Sequence, residues 1–302
     1  MREFAAFCPG HITGIFQICD QSADPLKEGS RGAGVSIAKG VTTRVRIRSS
    51  SKNSFKIRIN GKTKSAKVSE RVINAFFSRV EKNYRITVDH DVEVPIGSGF
   101  GSSGAGSLSS ALALNEAFGC GLSLIEAAQV AHIAEVECKT GLGTVIAETS
   151  GGLEIRTKPG GPGVGQVKTI PIEGNYVMAC LSFGPISTKE VLTNEKIRER
   201  INEFGGKLLD QLIAESKPHV FMNLSRKFAE YVGLISPRVR KVLREADSEG
   251  LTCSMAMIGE SIFSLIRRDE VDKLVKIFRG HASSKLSIIV TDIDFKGARL
   301  LD

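Results

Sequence analysis

The stretch that most constrains this chain is Pro95-Ile-Gly97-Ser98-Gly99-Phe100-Gly101-Ser102-Ser103-Gly104, with four glycines and three serines in ten residues. Before it, Ile86, Val88, His90, Val92 and Val94 alternate as one face of a strand. Pro95 stops that strand, because it has no N–H to give a ladder. After it, the residues from Ser103 to Phe118 read as a helix that Gly119 ends. Glycines at such a junction let the backbone take positive φ and come close to a ligand. The helix start presents unpaired N–H groups and the positive end of its dipole. Ser102 and Ser103 add hydroxyls that reach a phosphate or a metal, and the whole makes an anion site.

Two other nucleotide signatures fail on their context. Gly99-Phe-Gly101-Ser-Ser-Gly104 fits G-x-G-x-x-G, but that fingerprint opens a βαβ unit whose next strand ends in an acid about 20 residues on. The acid at that distance is Glu126, in the capping box Ser123-Leu-Ile-Glu126 of a second helix reaching about Cys138, and no strand intervenes. Gly61-Lys62-Thr63 lacks the upstream glycine of a P-loop, since position 56 is Lys, and reads as a hairpin turn.

The rest of the chain alternates strand pairs with helix pairs. Short apolar runs at 3–8 and 12–19 flank a turn at Pro9-Gly10, and strands follow at 33–38, 41–49 and 54–60. Val68 to Val80 has helical spacing, and Leu153–Thr157 is a strand. The glycine- and proline-rich residues 158–166 mark a domain junction or a long loop. Beyond them come strands near 167–172 and 176–183, then helices near 188–202, 205–215, 218–233 and 237–248. A strand near 252–257, a helix near 269–279 and a strand near 285–291 complete the order. This order fits an α+β fold better than a regular βαβ series. Two domains are expected, 1–160 with the glycine loop and 161–302.

Composition narrows the function. The net charge of +8 admits nucleic acid, an anionic membrane or an anionic metabolite as partner. The densest basic run is Arg44, Arg46, Arg48, Lys52, Lys56, Arg58, Lys62 and Lys64. It alternates with Val45, Ile47, Phe55, Ile57 and Ile59, which puts the cations on the outer face of an antiparallel strand pair. With no tryptophan and three tyrosines, a stacking surface for single-stranded nucleic acid is disfavoured. No helix-turn-helix or zinc module is recognisable. Six scattered cysteines form no C-x-x-C pair, which points to reduced core thiols and a cytoplasmic location. There is no signal-peptide run and no stretch of about 18 apolar residues. The expected partner is a small molecule, with neither nucleic acid nor membrane.

Pro95-x-Gly97-x-Gly99-Phe100-Gly101-Ser102-Ser103 resembles the second signature of the GHMP kinases, P-x-G-x-G-L-G-S-S-A, with Phe for Leu and Gly104 for Ala. Cys8-Pro9-Gly10-His11-Ile12-Thr13 resembles the first signature, and Ser254-Met-Ala-Met-Ile-Gly259-Glu260 the third. Within the superfamily the chain is most similar to the archaeal pantoate kinases, along essentially its whole length. Phe7–Gly14, Asp24–Val35, Ala131–Glu137, Thr140–Gly143, Gly151–Arg156 and Met255–Phe263 carry that likeness.

The resemblance implies a nucleotide domain built like the second domain of a small-subunit ribosomal protein, and a ferredoxin-like C-terminal domain. It also implies phosphorylation of pantoate on the archaeal route to coenzyme A, with ATP and Mg²⁺, in a chain whose relatives are commonly homodimers. ATP would lie on Pro95, Gly97, Ser98, Gly99, Phe100, Gly101, Ser102, Ser103 and Gly104. Mg²⁺ would be held by Ser103 and by Glu135, with Glu137 the next choice. Pantoate carries a carboxylate, for which His11, Arg31 and Arg156 are the cations in the resembling motifs. Ser103, His11 and Thr144 are the catalytic candidates.

Residue 144 departs from the family. Relatives read T-G-L-G-D there, with the Asp beside the reacting hydroxyl, whereas this chain reads Thr140-Gly-Leu-Gly-Thr144. A threonine takes no proton near neutral pH. Either transfer relies on positioning and charge, as in homoserine kinase, which also lacks the Asp. Or the chain is a nucleotide- or metabolite-binding regulator on a kinase fold. Homoserine, mevalonate and shikimate stay open as other acceptors.

Overall fold

The computed structural model describes residues 2–282 and 287–301. A long hairpin organises the N-terminal part: β1 (Arg2–Cys19) runs antiparallel to β2 (Gly29–Ser49) along nearly its whole length. No turn forms at Pro9-Gly10. The chain passes straight through, and β2 bulges opposite it, with Pro9 paired to Gly40 and Gly10 to Ile37. A bulge absorbs the missing proline N–H without ending the strand. Close approach explains the glycine on the other strand, since a Cβ on Gly40 would stand 2.0 Å from the Cys8 carbonyl oxygen.

Next come β3 (Ser54–Ile59), β4 (Lys62–Thr63), α1 (Lys67–Phe77) and β5 (Tyr84–Val92). The expected pairing of the two basic strands does not occur, because β5 lies between β2 and β3. Asp89 of β5 explains the insertion: it sits between Arg46 and Arg58 and bonds both, at 2.7 Å from Arg58 Nη2 to Oδ2. The long β2 pairs β5 through Val41–Ser49 and β6 (Leu153–Lys158) through Gly32–Val35. The helices α1, α2 (Ser102–Phe118) and α3 (Leu124–Cys138) cover one face of the sheet, over a core of Val41, Val45, Ile86, Leu108, Leu112 and Ala131. Packed on several sides, α2 is built of small residues. Its buried Ser107, Ser109 and Ser110 donate to the carbonyls of Gly104, Ala105 and Gly106 of the preceding turn. A short helix α4 (Thr144–Ser150), not foreseen from the sequence, precedes β6, and β7 (Gln166–Thr169) pairs with β6.

The second sheet has the order β11-β8-β10-β9, all antiparallel. Its strands are β8 (Tyr176–Pro185), β9 (Ser254–Met255), β10 (Gly259–Arg267) and β11 (Ser287–Thr291). With helices between β8 and β9 and α9 (Val271–His281) before β11, this is the βαββαβ ferredoxin-like arrangement the resemblance implied. The whole is α+β. The helical insertion is α5 (Thr188–Thr193), α6 (Glu195–Ala214), α7 (Pro218–Val232) and α8 (Pro237–Ser248).

The expected helix break near residue 203 lies instead at Asn194, which caps α6 by accepting from the Ile197 N–H. Helix α6 runs through Gly205-Gly206 because those glycines allow contact: a Cβ on Gly205 would lie 2.2 Å from the Phe16 carbonyl oxygen. Strand β10 was also missed, its few polar residues showing no alternation, and so was β12 (Arg299–Leu301), which returns to pair with β1. The expected strand near 285–291 is present from Ser287, while 285 and 286 lie outside the described residues. By pairing, β7 and β12 go with the first sheet, and one apolar core that includes Ile12, Val35, Val177, Phe228 and Phe263 joins both sheets. No helix among the described residues is long and apolar enough to cross a membrane.

Candidate active site

The glycine loop leaves β5 and enters α2 with Gly97, Gly99 and Gly101 in the left-handed region, at φ 72°, 86° and 67°. Side chains rarely adopt that conformation, hence the three glycines. Gly101 is the residue before the helix, and no side chain caps it. The first helical amides, Ser102 to Gly104, therefore have no intrahelical acceptor and face an anion site. The first turn carries no acid that would occupy that site.

The loop is held on two sides. The His11 N–H donates to the Phe100 carbonyl at 3.0 Å, and the Ser261 hydroxyl to the Ser98 carbonyl at 2.7 Å. Gly259 is pressed on it, for a Cβ there would come within 2.0 Å of the Ser98 carbonyl carbon. Met257 in turn donates its N–H to the Thr13 carbonyl. The three stretches that resembled separate signatures thus meet at one loop. Gly97, Gly99, Phe100, Gly101, Ser102, Ser103 and Gly104 line the cleft above it. Pro95 and Ser98 do not, as Pro95 ends the approach from β5 and Ser98 is buried beneath Gly259.

Ser103 and Glu135 come together. The Ser103 hydroxyl donates to Glu135 Oε1 at 2.5 Å, and Thr140 donates to the same oxygen at 2.8 Å. Burial pushes the Glu135 carboxyl up, and the two hydroxyl donors oppose that shift. Glu137 lies elsewhere, on the surface and paired with Arg71 at 2.5 Å. Helical spacing explains the difference: two residues apart on α3, the two acids face different sides.

Gly143 caps α4, and Thr144 is its first residue, against the loop on the cleft wall. One turn on is Glu148, fully buried under the loop, which the sequence reading had passed over. Its carboxyl is pushed well up by burial and then by the charge of Glu135. The thiol of Cys8 donates to one of its oxygens at 3.7 Å.

The far end of the cleft holds a buried charge cluster. Arg156 Nη1 donates to Glu154 Oε1 at 2.9 Å, and His11 Nε2 lies 3.0 Å from the same oxygen. All three side chains are essentially inaccessible, and burial lowers the pKa of His11. Among the described residues, Arg156 Nε has no hydrogen-bond partner. A buried arginine with a spare N–H at a cleft wall is prepared for an anionic ligand. Glu154 was missed. Its signal was present, as Glu154 and Arg156 alternate at strand period with Leu153 and Ile155. Arg31 is not part of the cluster. Strand alternation turns it away from Ser30 and Gly32, and it bonds Gln17 and, at 2.6 Å, Asp210.

A helix start with free amides, a serine–glutamate pair beside it and a buried arginine beyond suit a phosphotransferase acting on a small molecule. The GHMP kinases N terminal domain matches residues 66–152, so the class is GHMP kinase. Thermococcus kodakarensis pantoate kinase is 37% identical over 272 residues, covering 89% of each chain. A solved structure described as a phosphotransferase related to the CoA biosynthesis pathway superposes with a TM-score of 0.90 at 32% identity, covering 99% of this chain and 98% of that one. At the level of fold alone, a structure solved with AMPPCP and magnesium matches with a TM-score of 0.74 at 14% identity, covering 99% of each chain. The chain belongs to the pantoate kinase family.

Proposed function

We propose that the protein transfers the γ-phosphoryl group of ATP to the primary hydroxyl of pantoate, giving ADP and phosphopantoate on the archaeal route to coenzyme A. One observation carries the reading: the loop amides, the Ser103–Glu135 pair and Arg156 all line one cleft.

The loop from Gly97 to Gly104 holds the phosphates with backbone N–H groups. Ser103 Oγ and Glu135 Oε1 are hard oxygen donors that suit Mg²⁺. Bound there, Mg²⁺ would neutralise charge on the phosphate oxygens. Arg156 takes the carboxylate of pantoate, and Glu154 fixes the guanidinium from behind. Leu192, Met257 and Ile258 of the C-terminal part close the apolar wall and exclude water. The acceptor oxygen then bonds to γ-phosphorus as the bridge to the β-phosphate breaks, and the hydroxyl proton leaves. A loose transition state asks mainly for positioning and charge, which the cleft provides without a carboxylate at Thr144. Against the regulator reading, the stretch that resembles the third signature packs directly on the loop.

Incubation with ATP, Mg²⁺ and pantoate should release ADP and give phosphopantoate by phosphorus NMR. Faster turnover of homoserine, mevalonate or shikimate would overturn the substrate, and nucleotide binding with no turnover of any of the four would overturn the enzyme.

A further inference from the structure

The hydroxyl proton needs a destination, and the cleft offers one besides position 144. His11 and Thr13 are two residues apart on β1 and both line the cleft. Thr13 Oγ1 lies 3.3 Å from His11 Nδ1, and His11 Nε2 lies 3.0 Å from Glu154 Oε1. Oxygen, imidazole and carboxylate stand in series, the arrangement by which a buried acid orients an imidazole to draw a proton from a hydroxyl. Arg156 holds the carboxylate from its other side. Space for the ring is specific to this site, since a Cβ on Gly34 would stand 2.4 Å from His11 Cε1 and 2.5 Å from Nε2.

Resting on the pantoate kinase reading, we propose that Thr13, backed by His11 and Glu154, removes the acceptor proton in this chain. The acceptor O–H gives its proton to Thr13 Oγ1 as the new O–P bond forms and the β–γ bridge breaks. Thr13 passes its own hydroxyl proton to His11 Nδ1. The resulting imidazolium keeps its Nε2–H on Glu154, whose negative charge balances it, and the proton returns to solvent after ADP leaves. The 3.3 Å contact suits a site whose bonds tighten only with substrate bound. Thr13 is the group that touches the acceptor, while His11 and Glu154 act through it as positioning residues. The charged groups facing the imidazole are Glu154 and Arg156, both from β6. Strand β2 presents Gly34, and the glycine loop presents main chain.

The test is the pH dependence of kcat at saturating ATP, Mg²⁺ and pantoate, for wild type, Thr13→Val, Thr13→Ser and His11→Asn. Thr13→Val keeps the branched shape and the main-chain bond to Met257, and a melting curve checks that it folds. We expect its kcat to fall at least about tenfold with little change in KM for ATP, and Thr13→Ser to restore most of the rate. Wild-type kcat should also show an acid limb below the ordinary imidazole range, where His11 protonates, because burial lowers its pKa. That limb should vanish in Thr13→Val and in His11→Asn. A folded Thr13→Val with wild-type kcat, or with lower kcat and an unchanged acid limb, would overturn the relay and leave the pantoate kinase reading intact. A wild type that makes no phosphopantoate would overturn that reading first.

Discussion

Replacing Gly101 by alanine tests the loop from its most strained point. Gly101 sits at φ 67°, and a Cβ placed on it would lie 2.5 Å from Glu148 Oε1, 2.8 Å from Thr144 Cγ2 and 3.1 Å from the His11 nitrogen. None of these is a loose surface end, because Glu148 is fully buried and the His11 nitrogen is main chain. The left-handed conformation costs a non-glycine residue roughly 1–2 kcal/mol. Forcing packed neighbours aside costs about 1–3 kcal/mol more. The total, about 2–5 kcal/mol, lowers the melting temperature by roughly 5–15 °C if each kcal/mol is worth about 3 °C in a protein of this size. The displaced loop should also raise KM for ATP, as a shift of about 1 Å in a positioning element can cost about a hundredfold in rate. Gly106, five residues further along α2, is the control. A Cβ there meets nothing within 4 Å, so Gly106→Ala should stabilise by about 0.5–1 kcal/mol. Thermal melts and ATP kinetics on both variants decide the matter. A Gly101→Ala protein that melts with the wild type and uses ATP normally would refute the reasoning.

Ser103→Ala removes the hydroxyl proposed to hold Mg²⁺ together with Glu135 and should raise the Mg²⁺ concentration for half-maximal turnover by at least about tenfold; an unchanged Mg²⁺ titration would exclude that role. Glu148 gives a prediction for pH. Its carboxyl pKa is raised in the fold, so its contribution is fully present below the unfolded value near 4.5 and is lost as pH rises through the folded value. Glu148→Gln cannot ionise and should gain melting temperature relative to wild type as pH is raised from 5 to 9, whereas a constant difference across that range would show that the fold does not raise this carboxyl's pKa.

Elements that announce themselves locally were legible in the sequence. The α3 capping box forms in both halves, with Ser123 and Glu126 bonded reciprocally. The loop between Pro95 and Gly104 stands between strand and helix where its glycines placed it. What failed to read depends on distant partners. Strand β10 is buried on both faces, so it has no polar alternation to show. Gly205-Gly206 looks like a helix stop until Phe16 is seen against it. Arg31 and Arg156 are equal in the sequence, and only the strand faces separate the one bonded to Asp210 from the one bonded to Glu154.

Thr144 shows why the same limit applies to mechanism. Read along the chain, it is a missing carboxylate, and a single missing group invites the conclusion that the reaction is lost. The fold changes what that absence means. The cleft wall formed by Thr144 faces another formed by β1, where Thr13 and His11 are one strand period apart. The carboxylate behind them comes from Glu154, more than a hundred residues away in sequence. A base delivered from β1 and β6 has no spacing that a motif could record, because its parts are joined only by the pairing of β2 with both strands. The same pairing sets Arg156 beside Glu154, so the residue proposed for the acceptor's carboxylate and the histidine of the proposed relay share one oxygen, Glu154 Oε1. In that proposal substrate binding and proton removal are coupled through a single buried carboxylate, and a change at either Arg156 or His11 should be felt by the other.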